Sequence, residues 1–138
     1  MSVEINPALQ QRLSDEKTVW LTTVREDGTP QPVPVWYLWD GDTFLIFSQP
    51  KAQKLRNIAH NPKVSLNFKH TDDFGEEGIV IIFGDAYVDE AVPPSNQIGE
   101  YLEKYGEGIK GINMTPDSLA AEFSVALRVK PTRVRGNS

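Results

Sequence analysis

Apolar positions along the chain form short alternating or continuous runs, and these predict a mainly β domain with a few flanking helices. Strand-like runs rich in β-branched and aromatic residues occupy positions 18–25, 31–39, 43–47, 63–69, 78–90 and 122–134. Turn residues such as Asp27-Gly28 and Asp40-Gly41 separate the first three runs, which indicates an antiparallel meander. A polar, acidic loop at 70–77 leads into the longest run. Six strands bury their apolar faces most easily in a closed barrel, so we expect a six-stranded antiparallel barrel.

Capping residues or apolar residues at helical spacing predict helices at four places before or between these strand-like runs. Asn6 can cap a first helix that begins at a proline and covers 7–15. Ser48 can cap a second helix, because a proline follows in what would be its first turn. Apolar residues at helical spacing predict a third helix over 94–105, and Thr115 can cap a short fourth one.

The start of the second helix carries two lysines, Lys51 and Lys54, which lie three positions apart and therefore share one face. Cations are unfavourable at a helix N-terminus, where the dipole is positive and backbone N–H groups are unpaired. A bound anion such as a cofactor phosphate would remove this conflict. The alternative is that both lysines are solvated and only keep the helix soluble. With Arg56 just beyond them they form a local basic cluster in an acidic protein, which suggests a longer anionic ligand.

Three prolines occupy alternate positions of the second strand-like run: Pro30, Pro32 and Pro34. Alternate backbone N–H groups of a strand point to the same neighbour, so one side of this strand lacks donors. A sheet edge or a gap must lie there. The prolines either protect an ordinary edge from aggregation or leave an opening in which a planar ligand reaches backbone atoms. Trp36 and Tyr37 are the best aromatic candidates to border such a ring.

Composition and charge restrict the classes of partner. The 138 residues predict a single domain over 1–138, and the net charge of −5 argues against nucleic-acid or anionic-membrane binding. The absence of cysteine removes disulfides and thiolate nucleophiles, and two histidines are too few for a histidine-rich metal centre. Neither a signal peptide nor a membrane-spanning run is visible, so we expect a cytoplasmic protein.

No residue pattern predicts a catalytic group of the protein's own. Residues 106–111 match the spacing G-x-G-x-x-G, but they follow a helix in an antiparallel protein, so we expect a flexible loop and not a dinucleotide-binding turn. The sequence shows no nucleophile elbow, metal-ligand cluster or carboxylate dyad. An enzyme of this kind takes its chemistry from a bound cofactor and supplies position and electrostatics.

Three sequence motifs resemble those of a known family. They are S-x-P-K-x-x-K-x-x-N from Ser48, N-P-x-V-S-L from Asn61 and R-V-x-P-x-R-V from Arg128. With the order of strands from 18 to 68, they resemble the pyridoxamine 5′-phosphate oxidase-like split β-barrel family, in its branch of deazaflavin (coenzyme F420)-dependent oxidoreductases. The resemblance implies a six-stranded antiparallel split barrel that forms a homodimer with two cofactor sites at the interface. The sequence lacks the C-terminal segment with a tryptophan and an arginine found in true pyridoxamine phosphate oxidases, so we do not expect pyridoxal phosphate synthesis.

The resemblance also implies a set of cofactor-binding residues. Lys54 matches the helix lysine that binds the cofactor phosphate, and Lys51 and Ser48 line the same turn. The strand residues implied beside the isoalloxazine-like ring are Pro32, Val33, Pro34, Val35 and Trp36, with Thr22 and Thr23 on the neighbouring strand. The implied function is hydride transfer from reduced deazaflavin to an electron-poor small molecule. The alternatives are an FMN-binding oxidoreductase of the same fold and a flavin- or haem-binding protein without turnover.

Overall fold

Seven strands and four α-helices make up the computed structural model, which describes residues 3–69 and 78–136. The strands are β1 (Thr18–Val24), β2 (Pro30–Trp36), β3 (Leu38–Trp39), β4 (Phe44–Ser48), β5 (Lys63–Asn67), β6 (Ile81–Val88) and β7 (Val125–Arg135). The helices are α1 (Pro7–Asp15), α2 (Gln53–His60), α3 (Gly99–Gly111) and α4 (Pro116–Glu122). The polar loop predicted at 70–77 lies outside the described residues. No helix in the described ranges is long and apolar enough to cross a membrane.

All seven strands belong to one antiparallel sheet with the order β2-β1-β5-β6-β7-β4-β3. β2 and β3 form its two edges, yet a single residue, Tyr37, separates them in the chain. The sheet must therefore curl until its edges meet at Tyr37, which gives a barrel that is split along one side. This confirms the predicted split β-barrel, with seven strands instead of six.

The extra strand arises because the predicted strand at 31–39 is broken at Tyr37. The hydroxyl of Tyr105 in α3 accepts a hydrogen bond from the backbone N–H of Tyr37 (2.9 Å) and lies 2.8 Å from its carbonyl oxygen. Because a side chain takes both backbone groups of Tyr37, the chain leaves β1 at this point and pairs with β4 instead. Both pairings of the predicted three-stranded meander are therefore present, β1 with β2 and β3 with β4, but its middle strand is interrupted and β4 also pairs with β7.

The core fills the inside of the curled sheet. Side chains alternate along β1, where Val19 and Leu21 are buried and Trp20 is half exposed. α1 packs against this core through Leu9 and Leu13. The first predicted helix is confirmed with its predicted bounds.

The second helix begins later than predicted. Ser48 is not its N-cap but the last residue of β4, and its hydroxyl donates to the carbonyl of Gln49. Residues 49–52 form a turn closed by a hydrogen bond from the N–H of Ala52 to the same carbonyl (3.2 Å), and α2 starts at Gln53. Proline is favoured at the second position of such a turn as well as in the first turn of a helix, which explains the wrong prediction.

The two remaining helices differ from prediction mainly at their ends. A single turn of 3₁₀ helix at Ser95–Gln97 precedes α3, which begins at Gly99 and runs through Gly111. Residues 106–111 are therefore helical and not the expected loop. The cap predicted for α4 is confirmed, because the hydroxyl of Thr115 accepts from the N–H of Ser118 (3.1 Å).

Candidate functional site

A cleft of about 290 Å³ opens where the free edge of β2 faces β4 across the split of the barrel. Strands contribute one part of its lining: Thr18, Pro34, Val35, Trp36 and Phe47. Helices and the segments beside them contribute the other part: Lys54, Tyr101, Ile112, Leu119 and Phe123. Most of these side chains are apolar, as is usual for a site that holds an organic ring.

The free edge of β2 offers hydrogen-bond acceptors and few donors. In the β1–β2 ladder the N–H donors of β2 come from the residues between the prolines, because proline has no N–H group. The backbone carbonyls of Pro30, Pro32 and Pro34 therefore point away from β1, toward the edge that no strand covers. This confirms the predicted donor-poor edge. Its carbonyls are able to accept hydrogen bonds from the N–H groups of a ligand.

A second, smaller cavity of about 120 Å³ lies at the start of α2. Four of its six lining residues have polar side chains, Thr23, Gln31, Gln53 and Lys54, and Val33 and Ala52 complete the lining. Ala52 is the N-cap of α2, and no side chain caps the first N–H groups of this helix. Lys54 lines both cavities and joins the apolar cleft to this polar pocket.

Among the residues that the structure describes, Lys54 is the only cation that lines either cavity. Its side chain is partly buried, and burial lowers its pKa below the usual lysine value. It forms no salt bridge with any residue in the described part of the chain. A desolvated, unpaired cation at a helix N-terminus is unfavourable, so the arrangement suits a bound anionic group.

The other two cations of the predicted basic cluster lie at the surface. Lys51 is exposed in the turn before α2 and lines neither cavity. Arg56 is also exposed, and it donates hydrogen bonds to the carbonyl of Lys51 (3.0 Å) and to the side chain of Gln53 (3.2 Å). The predicted cluster thus provides one cation inside the cavities and two on the surface beside them.

A buried amide group fixes the walls of the small pocket. The side-chain nitrogen of Asn57 donates to the hydroxyl of Thr23 (2.8 Å) and to Gln31 (2.9 Å), while its oxygen accepts from Gln53 (2.9 Å). Asn57 has no predicted role of its own, although it is the last residue of the motif S-x-P-K-x-x-K-x-x-N. The available signal was a polar residue on the inward face of a short helix, three positions after Lys54.

Four aromatic rings line or support one wall of the cleft. Trp36 stacks on Tyr105 with ring centroids 4.6 Å apart, and Tyr105 packs against Tyr101 at 5.0 Å. Tyr101 in turn meets Phe47 edge-on at 5.2 Å. Tyr37, which we expected to border a ring, lies fully buried in the core, because the chain crosses from one sheet edge to the other at this residue.

The cofactor-binding residues predicted from the sequence divide between the cavities and other places. Six of them line a cavity: Thr23, Val33, Pro34, Val35, Trp36 and Lys54. Thr22 and Pro32 pair with each other on the outer face of the β1–β2 ladder, and Lys51 is exposed. Ser48 is fully buried, so it is inaccessible to a ligand in either cavity.

Comparisons with known proteins identify relatives of this chain. The family model described as pyridoxamine 5′-phosphate oxidase matches residues 5–138. A pyridoxine/pyridoxamine 5′-phosphate oxidase from Photorhabdus laumondii subsp. laumondii is 31% identical over 65 residues, which are 46% of this chain. The match spans only 30% of the length of that relative.

Solved structures with the same fold include the following three. A conserved hypothetical protein, Rv2991, from Mycobacterium tuberculosis has a TM-score of 0.74 at 22% identity, covering 97% of this chain and 84% of that one. A structure named F420 reductase has a TM-score of 0.60 at 26% identity, covering 91% and 94%. HutZ, named as the heme storage protein from Vibrio cholerae, has a TM-score of 0.62 at 15% identity, covering 96% and 94%. Since the family model is matched along nearly the whole sequence, this chain belongs to the pyridoxamine 5′-phosphate oxidase family.

Proposed function

We propose that this protein is an oxidoreductase that holds a flavin-like cofactor in the cleft and the adjoining pocket, and that the cofactor is the deazaflavin coenzyme F420. The observation that carries the proposal is Lys54, a partly buried cation without an ionic partner in the described part of the chain, which lies where the apolar cleft meets the polar pocket. Flavins and deazaflavins join a planar ring to an anionic phosphate, so their two parts match the two cavities. Such a cofactor, when bound and reduced, supplies a hydride to an electron-poor substrate.

In this scheme the residues of the protein bind the cofactor, orient its ring and keep water away from the reacting atoms. Lys54 and the uncapped N–H groups at the start of α2 would hold the phosphate. The proline carbonyls of β2 would accept hydrogen bonds from N–H groups of the ring. The apolar side chains around the cleft, among them Trp36 and Leu119, would keep water away from the reacting atoms.

Two observations support the deazaflavin over FMN. The structure named F420 reductase is 26% identical to this chain and covers 91% of it. Coenzyme F420 also carries a phosphodiester and an oligoglutamate tail, and the surface cations Lys51 and Arg56 lie beside the turn that leads to Lys54. FMN is the alternative within the family. Haem binding without turnover has only a fold-level likeness at 15% identity to support it.

We further propose that two copies of the chain form a homodimer with the cofactor at their interface. Trp20 is 50% exposed on the outer face of β1, beside Pro34, and an exposed tryptophan on a sheet face is typical of an interface. Thr22 and Pro32 pair on this same face and line neither cavity of the protomer. A cofactor bound between two protomers would have access to them.

Fluorescence titration of the purified protein with coenzyme F420 and with FMN, at low and moderate salt, tests the cofactor. We expect tighter binding of coenzyme F420 and a steeper loss of its affinity with salt, because more ionic contacts are screened. Tighter binding of FMN would contradict the assignment of coenzyme F420 and favour FMN as the cofactor. Binding of neither compound would contradict the whole proposal. The bound cofactor is then reduced and mixed with electron-poor small molecules, and absorbance follows its reoxidation. A cofactor that binds but is reoxidised by no acceptor would indicate a binding protein.

A further inference from the structure

A series of side-chain hydrogen bonds runs from the surface of α2 to the wall of the small pocket. The guanidinium of Arg56 donates to the side-chain oxygen of Gln53 from its Nε (3.2 Å) and from one terminal nitrogen. The side-chain nitrogen of Gln53 donates to the oxygen of Asn57 (2.9 Å). Asn57 is 1% exposed, and its nitrogen donates to the hydroxyl of Thr23 (2.8 Å) and to the side-chain oxygen of Gln31 (2.9 Å). We call these five residues the amide relay.

Arg56 sets the direction of every hydrogen bond in the amide relay, because a guanidinium donates hydrogen bonds and accepts none. Gln53 must turn its oxygen toward Arg56 and therefore its nitrogen toward Asn57. Asn57 receives this bond with its oxygen, so only its nitrogen remains for Thr23 and Gln31. The hydroxyl proton of Thr23 and the side-chain nitrogen of Gln31 are left as donors, and they donate to no residue that the structure describes.

The two remaining donors belong to a pocket that already contains a cation. Thr23, Gln31 and Lys54 all line it, and no carboxylate is found among the described residues of its lining. If the relay ran in the opposite direction, Thr23 and Gln31 would donate to Asn57, and the amide oxygen of Gln31 would face the pocket. An anion is stabilised by N–H and O–H donors and repelled by an amide oxygen. The observed direction of the relay therefore suits an anion.

We infer that Arg56 is a positioning residue: through the amide relay it holds Thr23 and Gln31 as hydrogen-bond donors to the cofactor phosphate. This inference rests on the proposed function, in which Lys54 binds that phosphate in the same pocket. The side chain of Arg56 is exposed and lines neither cavity, so its effect on the phosphate passes through the relay. Such an effect persists at high salt, whereas direct attraction between an exposed charge and an anion is screened there.

Phosphorus NMR titration of the cofactor-free protein with inorganic phosphate, at about 0.5 M salt to screen exposed charges, tests this role. Arg56→Glu reverses the relay, because a carboxylate only accepts hydrogen bonds and lies within one helical turn of Gln53. It should weaken phosphate binding about 10-fold, the effect of one charge-assisted hydrogen bond that favours the wrong direction. Arg56→Lys keeps a group that only donates and should retain most of the affinity. Arg25→Glu is the matched control, because it makes the same charge change at an exposed arginine that lines neither cavity.

A double-mutant cycle separates the relay from direct charge repulsion. Gln53→Met interrupts the relay, because methionine replaces the amide between Arg56 and Asn57. Adding Arg56→Glu to this variant should change phosphate affinity by less than about 2-fold, as for residues that are not coupled. Direct repulsion by the new carboxylate would instead weaken binding equally with and without Gln53.

Three outcomes would overturn the inference: no phosphate binding by the unaltered protein, an equal loss in Arg25→Glu, or an undiminished loss in the Gln53→Met background. If a variant does not fold, neutron diffraction of the unaltered protein decides, because it distinguishes nitrogen from oxygen and locates hydroxyl hydrogens. A Thr23 hydroxyl hydrogen directed into the pocket would support the inference, and one directed at Asn57 would exclude it. Phosphate contains no ring, so the expected results without binding of coenzyme F420 or FMN would contradict only the proposed function.

Discussion

At the scale of single residues, a partly buried cation without an ionic partner among the described residues identifies the candidate site more specifically than a cluster of positive charge does. The sequence shows a basic cluster of Lys51, Lys54 and Arg56, and position alone does not distinguish its members. In the structure Arg56 is bonded to the turn and Lys51 is exposed, so Lys54 alone is partly desolvated and without an ionic partner among the described residues. An unfavourable feature of this kind is typical of a site that is completed by a ligand.

Replacing Lys54 by alanine should weaken cofactor binding about 10- to 150-fold, because a hydrogen bond to a charged group contributes about 1.5–3 kcal/mol. The melting temperature of the cofactor-free variant should stay unchanged or rise slightly, since the substitution removes a cation whose burial is unfavourable. Calorimetric titration and thermal unfolding measure the two effects. Lys110→Ala is the control, because it removes an exposed charge of α3 that lines neither cavity. Equal losses in both variants would mean that net charge, and not the position of Lys54, determines affinity.

At the scale of secondary-structure elements, α3 determines where the barrel splits. Its Tyr105 hydroxyl bonds the backbone of Tyr37 and its ring stacks on Trp36, so one side chain both breaks the strand and supports the cleft wall. We therefore expect Tyr105→Phe to lower the free energy of unfolding by about 1–3 kcal/mol, because the buried N–H of Tyr37 loses its acceptor. Tyr101→Phe removes from the same helix a hydroxyl that bonds to none of the described residues, so it should lower the free energy of unfolding much less. Urea denaturation of the two variants compares them, and similar losses would contradict this account of the strand break.

Lys104 of α3 contacts Tyr37, the residue between β2 and β3, and its pKa leads us to expect a pH dependence of stability. Its ammonium donates to the carbonyl of Tyr37 (3.1 Å) and lies 4.0 Å from that ring's centroid. Burial lowers its pKa to about 8, a shift that Lys17 reinforces and Asp15 and Glu16 oppose. The unfolded chain, with a lysine pKa near 10.5, then binds more protons than the folded one between pH 8 and 10.5, so this lysine makes stability rise with pH there.

Lys104→Met tests this dependence, because methionine keeps most of the side-chain volume and cannot be protonated. Urea denaturation at intervals from pH 7 to pH 10 should show the original protein gaining stability relative to the variant as pH rises above about 8. Tyrosines of the unfolded chain begin to ionise at the upper end of this range, but they do so equally in the two proteins, so their effect cancels in the comparison. Parallel pH profiles in the two proteins would show that the lysine has an ordinary pKa in the folded state.

The sequence predicts these elements well where the signal is local and poorly where it is not. The structure confirms the two helix starts that were predicted from a capping residue followed by a proline, at Asn6-Pro7 and at Thr115-Pro116. These predictions succeed because a cap acts within one helical turn. Ser48 was a wrong cap because a proline turn and a helix start share the same local preference. The break at Tyr37 depends on a residue 68 positions away, and no local pattern encodes such a contact.

At the scale of the whole molecule, large apolar side chains of the curled sheet remain exposed, among them Trp20 on β1 and Val88 on β6. The alternating prolines correctly predicted a free edge, but no sequence pattern indicated that Trp20 would be 50% exposed, since a tryptophan in a strand is usually buried. This residue lies on the outer face of the β1–β2 ladder, beside Pro34 and next to the pair formed by Thr22 and Pro32. The same face thus combines an apolar patch with two residues that the family resemblance assigns to the cofactor.

If this face is the dimer interface, Trp20→Glu should convert a dimer into a monomer, because a carboxylate without a partner would have to be buried at the contact. Light scattering at micromolar concentration measures the mass. Cofactor affinity should fall with the dimer, since a site at the interface loses the residues that the second protomer contributes. Ser14→Glu adds the same charge on the exposed side of α1 and should change neither property. An unaltered protein that is monomeric and still binds its cofactor tightly would contradict the interfacial site, and the two cavities of one protomer would then form the complete binding site.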